Sequence, residues 1–73
     1  MTMTYDEAVA VQRRHEDRIL QLPGVTAVGV ARRDGRPVLV ISVDPRAGVP
    51  AELGERQVDG LDIVVEERRY EPH

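Results

Sequence analysis

One segment constrains the fold of this chain more than any other: residues 25–44, with the sequence VTAVGVARRDGRPVLVISVD. Asp34 and Gly35 form the strongest short signal for a β-hairpin, because a type I′ turn needs positive φ at both central positions. Before the turn, larger residues alternate with alanine and glycine, and a face of small residues lets another backbone approach closely. We therefore predict two antiparallel strands, over about 25–32 and 37–44.

The second of these strands is apolar on both faces. Its alternating positions are Val38, Val40 and Ser42 on one face and Leu39, Ile41 and Val43 on the other. Leaving three or four such aliphatic side chains in water forfeits roughly 1.5–3 kcal/mol each. A domain of this size has a total stability of only about 3–5 kcal/mol. We expect a homo-oligomer, a dimer first, or a protein partner to cover the second face, unless the helices take opposite faces of the sheet.

A long helix precedes the hairpin. Thr4 and Glu7 have the spacing of a capping box, in which each side chain accepts a hydrogen bond from the other residue's backbone N–H. The helix is predicted from Tyr5 to about Leu22, where Pro23 and a following glycine end it. Its apolar side is formed by Tyr5, Ala8, Val9, Val11, Ile19, Leu20 and Leu22, and is interrupted by Gln12, His15 and Glu16.

After the hairpin we predict a short helix at about 49–53 and a third strand over about 62–67. The predicted fold class is therefore α+β: one small domain in the order helix, strand, strand, short helix, strand. The three-stranded sheet carries the helix on one face, and its third strand lies beside the second strand or on the far side of the first. We expect an ordered core over about 4–68 and a frayed tail over 69–73.

Composition narrows the classes of function. The 73 residues include no cysteine, which excludes disulfides and cysteine-based metal sites. A net charge of −3 argues against general affinity for nucleic acid. The amino terminus has no basic and apolar signal segment, and the longest apolar run, VLVI, is far shorter than the roughly 20 residues that span a bilayer. We expect a cytoplasmic protein that does not enter membranes and needs no metal or cofactor.

The leading interpretation is a small, non-catalytic protein-interaction or self-assembly module. The first choice for its contact residues is the face formed by Leu39, Ile41 and Val43. The second choice is an apolar patch on the helix formed by Val9, Ile19 and Leu20.

A second interpretation is a small enzyme or ligand-binding homodimer with a site at the subunit boundary near Gln12, His15 and Glu16. A histidine beside a carboxylate is able to act as a general base or a metal ligand. However, His15 and Glu16 are about 100° apart on the helix and do not converge on one point. The only serine, Ser42, has no nucleophile elbow around it.

A third interpretation is anion or nucleic-acid binding through the arginines at the hairpin tip, Arg32, Arg33 and Arg36. Guanidinium groups bind phosphate through paired hydrogen bonds. The same cluster is also expected for a solvated tip, and no tyrosine lies near it in sequence to stack on a base.

The segments GVTAVGVARRDGRPVLVISVD, VPAELG and VDGLDIVVEE together resemble a short module of bacterial proteins that precedes some trypsin-like serine peptidase domains. The resemblance covers about residues 24–67. Ala31 stands where the module usually has a second glycine, and no peptidase domain follows, so no catalytic residue carries over. The resemblance implies a binding or assembly module, not proteolysis.

Overall fold

A computed structural model of the chain describes residues 3–54 and 56–67. It contains an α-helix, a short 3₁₀ helix and four strands: α1 (Tyr5–Leu20), β1 (Val25–Arg33), β2 (Arg36–Val43), the 3₁₀ helix (Ala51–Gly54), β3 (Gln57–Val58) and β4 (Leu61–Glu67). The α+β class is confirmed, but the sheet has four strands where three were predicted. The frayed tail was predicted for residues 69–73, which lie outside the described residues.

The predicted capping box begins α1. The Thr4 hydroxyl accepts from the Glu7 N–H at 3.1 Å, and a Glu7 carboxylate oxygen accepts from the Thr4 N–H at 3.1 Å. This backbone hydrogen bond from Thr4 is the main reason that the pKa of Glu7 lies below its ordinary value. The helix ends two residues earlier than predicted, at Leu20, because the Leu22 N–H donates to the Ile19 carbonyl and tightens the last turn.

The hairpin between β1 and β2 forms at the predicted dipeptide. Asp34 and Gly35 have φ of 52° and 76°, and the register pairs Arg33 with Arg36 beside the turn. These positive φ values at both central positions are what a type I′ turn requires.

A second Asp-Gly hairpin was missed in the sequence. Asp59 and Gly60 have φ of 47° and 83°, nearly the values of the first turn, and they join β3 to β4. The strand before this turn has only two residues, too few for an alternating pattern. In the sequence, this hairpin is therefore recognisable from its Asp-Gly dipeptide alone.

The strand order is β1-β2-β4-β3, and β4 runs parallel to β2. This is the first of the two predicted arrangements, with the last long strand beside β2. It makes β2 a central strand.

The core lies between α1 and one face of the sheet. Its buried members are Ala8, Val11, Ile19, Leu39, Ile41, Val43, Leu53 and Leu61. Because the register places Ile41 between Val28 and Val65, these three side chains share the face that α1 covers. No helix among the described residues is long and apolar enough to cross a membrane.

This arrangement corrects the first choice of contact residues. Leu39, Ile41 and Val43 are all 0% exposed in the single chain. They belong to its own core beneath α1, and are therefore not available to a second chain. The other face of β2 is the one without a covering layer.

Candidate functional site

The sheet face opposite α1 is the candidate site, and we call it the open face. It consists of alternating residues from three neighbouring strands: Ala27, Gly29 and Ala31 from β1, Val38, Val40 and Ser42 from β2, and Asp62, Val64 and Glu66 from β4. Val40 and Val64 are half-buried on this face, whereas Val38 and Ser42 are each only 6% exposed. The double apolar pattern of β2 thus has one side in the core and the other on this face.

A shallow groove of about 270 Å³ runs along the open face. Ala27, Gly29 and Ala31 lie along it on β1, and Val40 and Ser42 on β2. The groove forms because the small side chains of β1 extend less far from the sheet than the neighbouring side chains of β2.

Gly29 is the centre of this groove. Its φ is not positive, and a Cβ built on it would have no other heavy atom within 4 Å. Neither the backbone conformation nor internal packing therefore requires glycine here, although glycine within a strand weakens it. By contrast, Gly24 has a φ of 84°, and a Cβ there would come within 2.5 Å of the Ala47 Cβ.

An ion pair crosses the open face. The Arg33 Nη2 atom of β1 lies 2.7 Å from the Glu66 Oε1 atom of β4, so the two side chains meet above the intervening strand β2. The side chains are 53% and 26% exposed, respectively. Exposed pairs of this kind contribute about 0.2–1 kcal/mol.

The arginine cluster at the hairpin tip does not converge on one point. Arg33 bonds Glu66 across the open face, whereas the Arg32 guanidinium lies 5.4 Å from the centroid of the Tyr5 ring on α1. The two arginines are thus on opposite sides of the sheet. Arg36, the partner of Arg33 across the turn, lines one groove together with Arg33 and another with Met3 and Pro37.

His15 takes part in a cluster with Asp59 that links α1 to the β3–β4 turn. Its Nε2 atom lies 2.7 Å from Asp59 Oδ2, and its Nδ1 atom lies 3.0 Å from Arg18 Nη2. Arg14 also donates to Asp59 Oδ2, at 3.2 Å. Because a carboxylate only accepts hydrogen bonds, the His15 Nε2–H donates to Asp59. Both ring nitrogens of His15 are therefore occupied within the chain.

These contacts lower the pKa of the Asp59 carboxyl group. The main cause is the hydrogen bond from His15, with smaller contributions from the charges of His15 and Arg14. Partial desolvation acts in the opposite direction. Asp59 was not singled out in the sequence, and its only signal there is the Asp-Gly dipeptide of the second hairpin.

Gln12 and Glu16 lie apart from this cluster. The Gln12 side-chain amide donates to the Val28 carbonyl at 3.3 Å and contacts a Glu16 carboxylate oxygen at 3.5 Å. Gln12 therefore binds the edge of β1, while His15 binds the β3–β4 turn. Among residues 3–54 and 56–67, no group of three or more histidine, aspartate or glutamate side chains is placed to hold a metal ion.

The helical patch chosen second is divided between core and surface. Ile19 is 4% exposed and belongs to the core, whereas Leu20 is 41% exposed. Val9 is half-buried. Leu20 is the only one of the three that is exposed, so this patch is smaller than the open face.

No family model, curated protein or solved structure matches this chain.

Proposed function

We propose that this protein is a non-catalytic self-association module, in which the open face packs against the open face of a second copy. The observation that supports it most directly is Gly29. Neither the φ of Gly29 nor any neighbouring atom requires glycine at this position. The missing side chain leaves a groove for a side chain from another chain. The apolar side of β2 that α1 leaves uncovered lies next to that groove.

The same face contains a side chain suited to the groove. Val40 is the cross-strand neighbour of Gly29 and is half-buried in the single chain. In a twofold pair, the same patch of both copies meets itself. Val40 of each copy is then placed near Gly29 of the other, and the two sheets pack at the roughly 10 Å spacing of a sheet sandwich.

The expected affinity is weak. Val40 and Val64 are both half-buried before association, and full burial of a valine from water gives about 1.5–3 kcal/mol. Each side chain therefore gains no more than about half of that value, so the four valines of two copies gain about 3–6 kcal/mol together. Association also restricts both chains. We expect a dissociation constant near the millimolar range, equivalent to about −4 kcal/mol at 1 mM.

The resemblance to the bacterial module supports the same proposal, because what it implies is binding or assembly. The arrangement of His15 also agrees with a non-catalytic role. Asp59 and Arg18 already engage both nitrogens of its ring.

Static light scattering over about 20 µM to 2 mM protein tests the proposal across the expected dissociation constant. Val40→Asp places a charge in the groove without touching the core, and we expect it to give a folded monomer by circular dichroism. Leu20→Asp is the matched control, because it adds the same charge to the exposed residue on α1. It should keep the dimer. A wild-type protein that stays monomeric throughout, or a Val40→Asp variant that remains a dimer, would contradict the proposal.

A further inference from the structure

The Arg33–Glu66 ion pair runs diagonally over the open face. Glu66 lies beside Ser42, and Ser42 lies beside Ala27, so these residues are at the same level along the sheet. Arg33 lies six residues beyond Ala27 on β1, a separation of about 20 Å along a strand. Even so, its Nη2 atom is 2.7 Å from Glu66 Oε1. The open face is therefore concave along this diagonal, as the twist of a sheet allows.

The groove at Gly29 lies beneath this ion pair. Gly29 and Val40 are cross-strand neighbours, at a level between Ala27 and Arg33. Arg33 and Glu66 line the groove together with both of them. The ion pair joins β1 to β4 and therefore passes over β2, the strand between them, from which Val40 projects. In the single chain, the paired side chains thus cover the place that Val40 of a second copy enters in the proposed dimer.

We propose that the Arg33–Glu66 ion pair is an autoinhibitory strap, which closes the groove in the single chain and opens before two open faces pack together. This inference rests on the self-association proposed above and adds its regulation. The strap is weak enough to open, because its side chains are 53% and 26% exposed. An exposed pair of this kind favours the closed arrangement only about 1.4- to 5-fold, which leaves roughly 15–40% of the chains open.

The strap acts twice in each association event. In a twofold pair the same patch of both copies meets itself, so both grooves have to be open at once. The apparent affinity falls by the open fraction of each copy, and the two factors multiply. The strap therefore weakens self-association roughly 5- to 40-fold relative to a chain whose groove is always open.

Two substitutions that change the charge in opposite directions test the strap. Arg33→Gln and Glu66→Gln each break the ion pair, and each should tighten self-association roughly 5- to 40-fold in static light scattering. If only net charge mattered, the two substitutions would act in opposite directions, because the chain has a net charge of −3. Arg14→Gln is the matched control: it removes the same charge, and an exposed ion pair with Asp59, away from the open face. It should not tighten association.

Thiol labelling measures the strap in the single chain, since the natural chain has no cysteine. Val40→Cys places one thiol in the groove. At about 10 µM protein, well below the expected dissociation constant, N-ethylmaleimide should react with it about two- to sixfold faster when Arg33→Gln is added. Val49→Cys is the control, because Val49 is 48% exposed in a loop. Its labelling rate should be the same with and without Arg33→Gln.

The outcomes separate the strap from the self-association itself. Unchanged labelling of Val40→Cys after Arg33→Gln would overturn the strap, as would weaker association in Arg33→Gln together with tighter association in Glu66→Gln. If Val40→Asp abolishes association but neither glutamine substitution changes it, the self-association stands and only the strap is overturned. If labelling becomes faster but no variant associates at up to about 2 mM protein, the self-association is overturned, and with it the autoinhibitory role of the ion pair.

Discussion

The imidazole of His15 donates a hydrogen bond to the carboxylate of Asp59, with 2.7 Å between Nε2 and Oδ2, and 44 residues separate them in sequence. One residue lies on α1 and the other in the turn that begins β4. The contact therefore links the helix to the β3–β4 hairpin. It also explains why a polar side chain interrupts the apolar side of α1 at this position.

The Asp59 contact makes stability depend on acid pH. The pKa of this carboxyl in the folded protein is below its ordinary value of 3.8, chiefly because of the His15 hydrogen bond. The resulting stabilisation is complete above pH 3.8 and is lost as the pH falls through the lower folded pKa. We expect the free energy of unfolding to decline in that window.

Asp59→Asn tests this dependence by urea unfolding at a series of pH values. Asparagine tolerates the positive φ of 47° at this position, so the turn is retained while the charge is lost. The variant should lose the part of the acid decline that Asp59 causes. In His15→Ala, carboxyl NMR should show the pKa of Asp59 returning towards 3.8. An unchanged Asp59 titration in that variant would contradict the assigned cause.

Gly29→Val separates the stability of the single chain from its association. No atom lies within 4 Å of the added Cβ, and valine is favoured over glycine in a strand. We expect the monomer to gain about 0.5–1 kcal/mol, while the filled groove abolishes packing of the open faces. Thermal unfolding and light scattering measure the two effects.

Gly24→Val provides the contrast. Its positive φ and the close approach of Ala47 leave no room for a side chain, so this variant should be destabilised. If Gly29→Val lost as much stability as Gly24→Val, the space around Gly29 would not be open to a side chain, contrary to the structure.

Adjacent residues of β2 should respond very differently to truncation. Ile41 is 0% exposed in the core, and Ile41→Ala should cost about 2–5 kcal/mol. Val40 lies on the open face and is half-buried, so Val40→Ala should cost much less in a dilute sample. Chemical denaturation at low protein concentration measures both. Equal losses would mean that the open face is as fully packed as the core.

Gln12→Glu removes the amide that binds the β1 edge. The new carboxylate is unable to donate to the Val28 carbonyl and lies next to Glu16. We expect a loss of about 1–3 kcal/mol, measured by urea unfolding at neutral pH. Gln21→Glu is the control, because it introduces the same charge at an exposed position just beyond α1. Similar losses in both variants would show that charge alone causes the effect.

Local signals in the sequence predicted much of the fold. The capping box at Thr4, the turn at Asp34 and Gly35, and the alternation of β1 and β2 all depend on neighbouring residues, and all are confirmed. The β3–β4 hairpin carries the same dipeptide signal at Asp59, but it was missed because its first strand has only two residues.

The candidate site was less predictable. The sequence showed that β2 is apolar on both faces, but the face chosen for the contact, Leu39, Ile41 and Val43, lies in the core of the single chain. The groove at Gly29 and the Arg33–Glu66 ion pair depend on which strands are neighbours. The same is true of His15, whose partner Asp59 is distant in the chain.

The sequence by itself determined the helix start, the first hairpin and the double apolar character of β2, because capping, turn φ angles and side-chain alternation are set by residues close together in the chain. Only the tertiary structure decided that Ile41 belongs to the core and Val40 to the open face. That choice depends on which side of the sheet α1 packs against, and on β4 lying beside β2. The packing of segments that are distant in the sequence distinguishes the two faces of β2, which the alternating pattern of side chains alone does not.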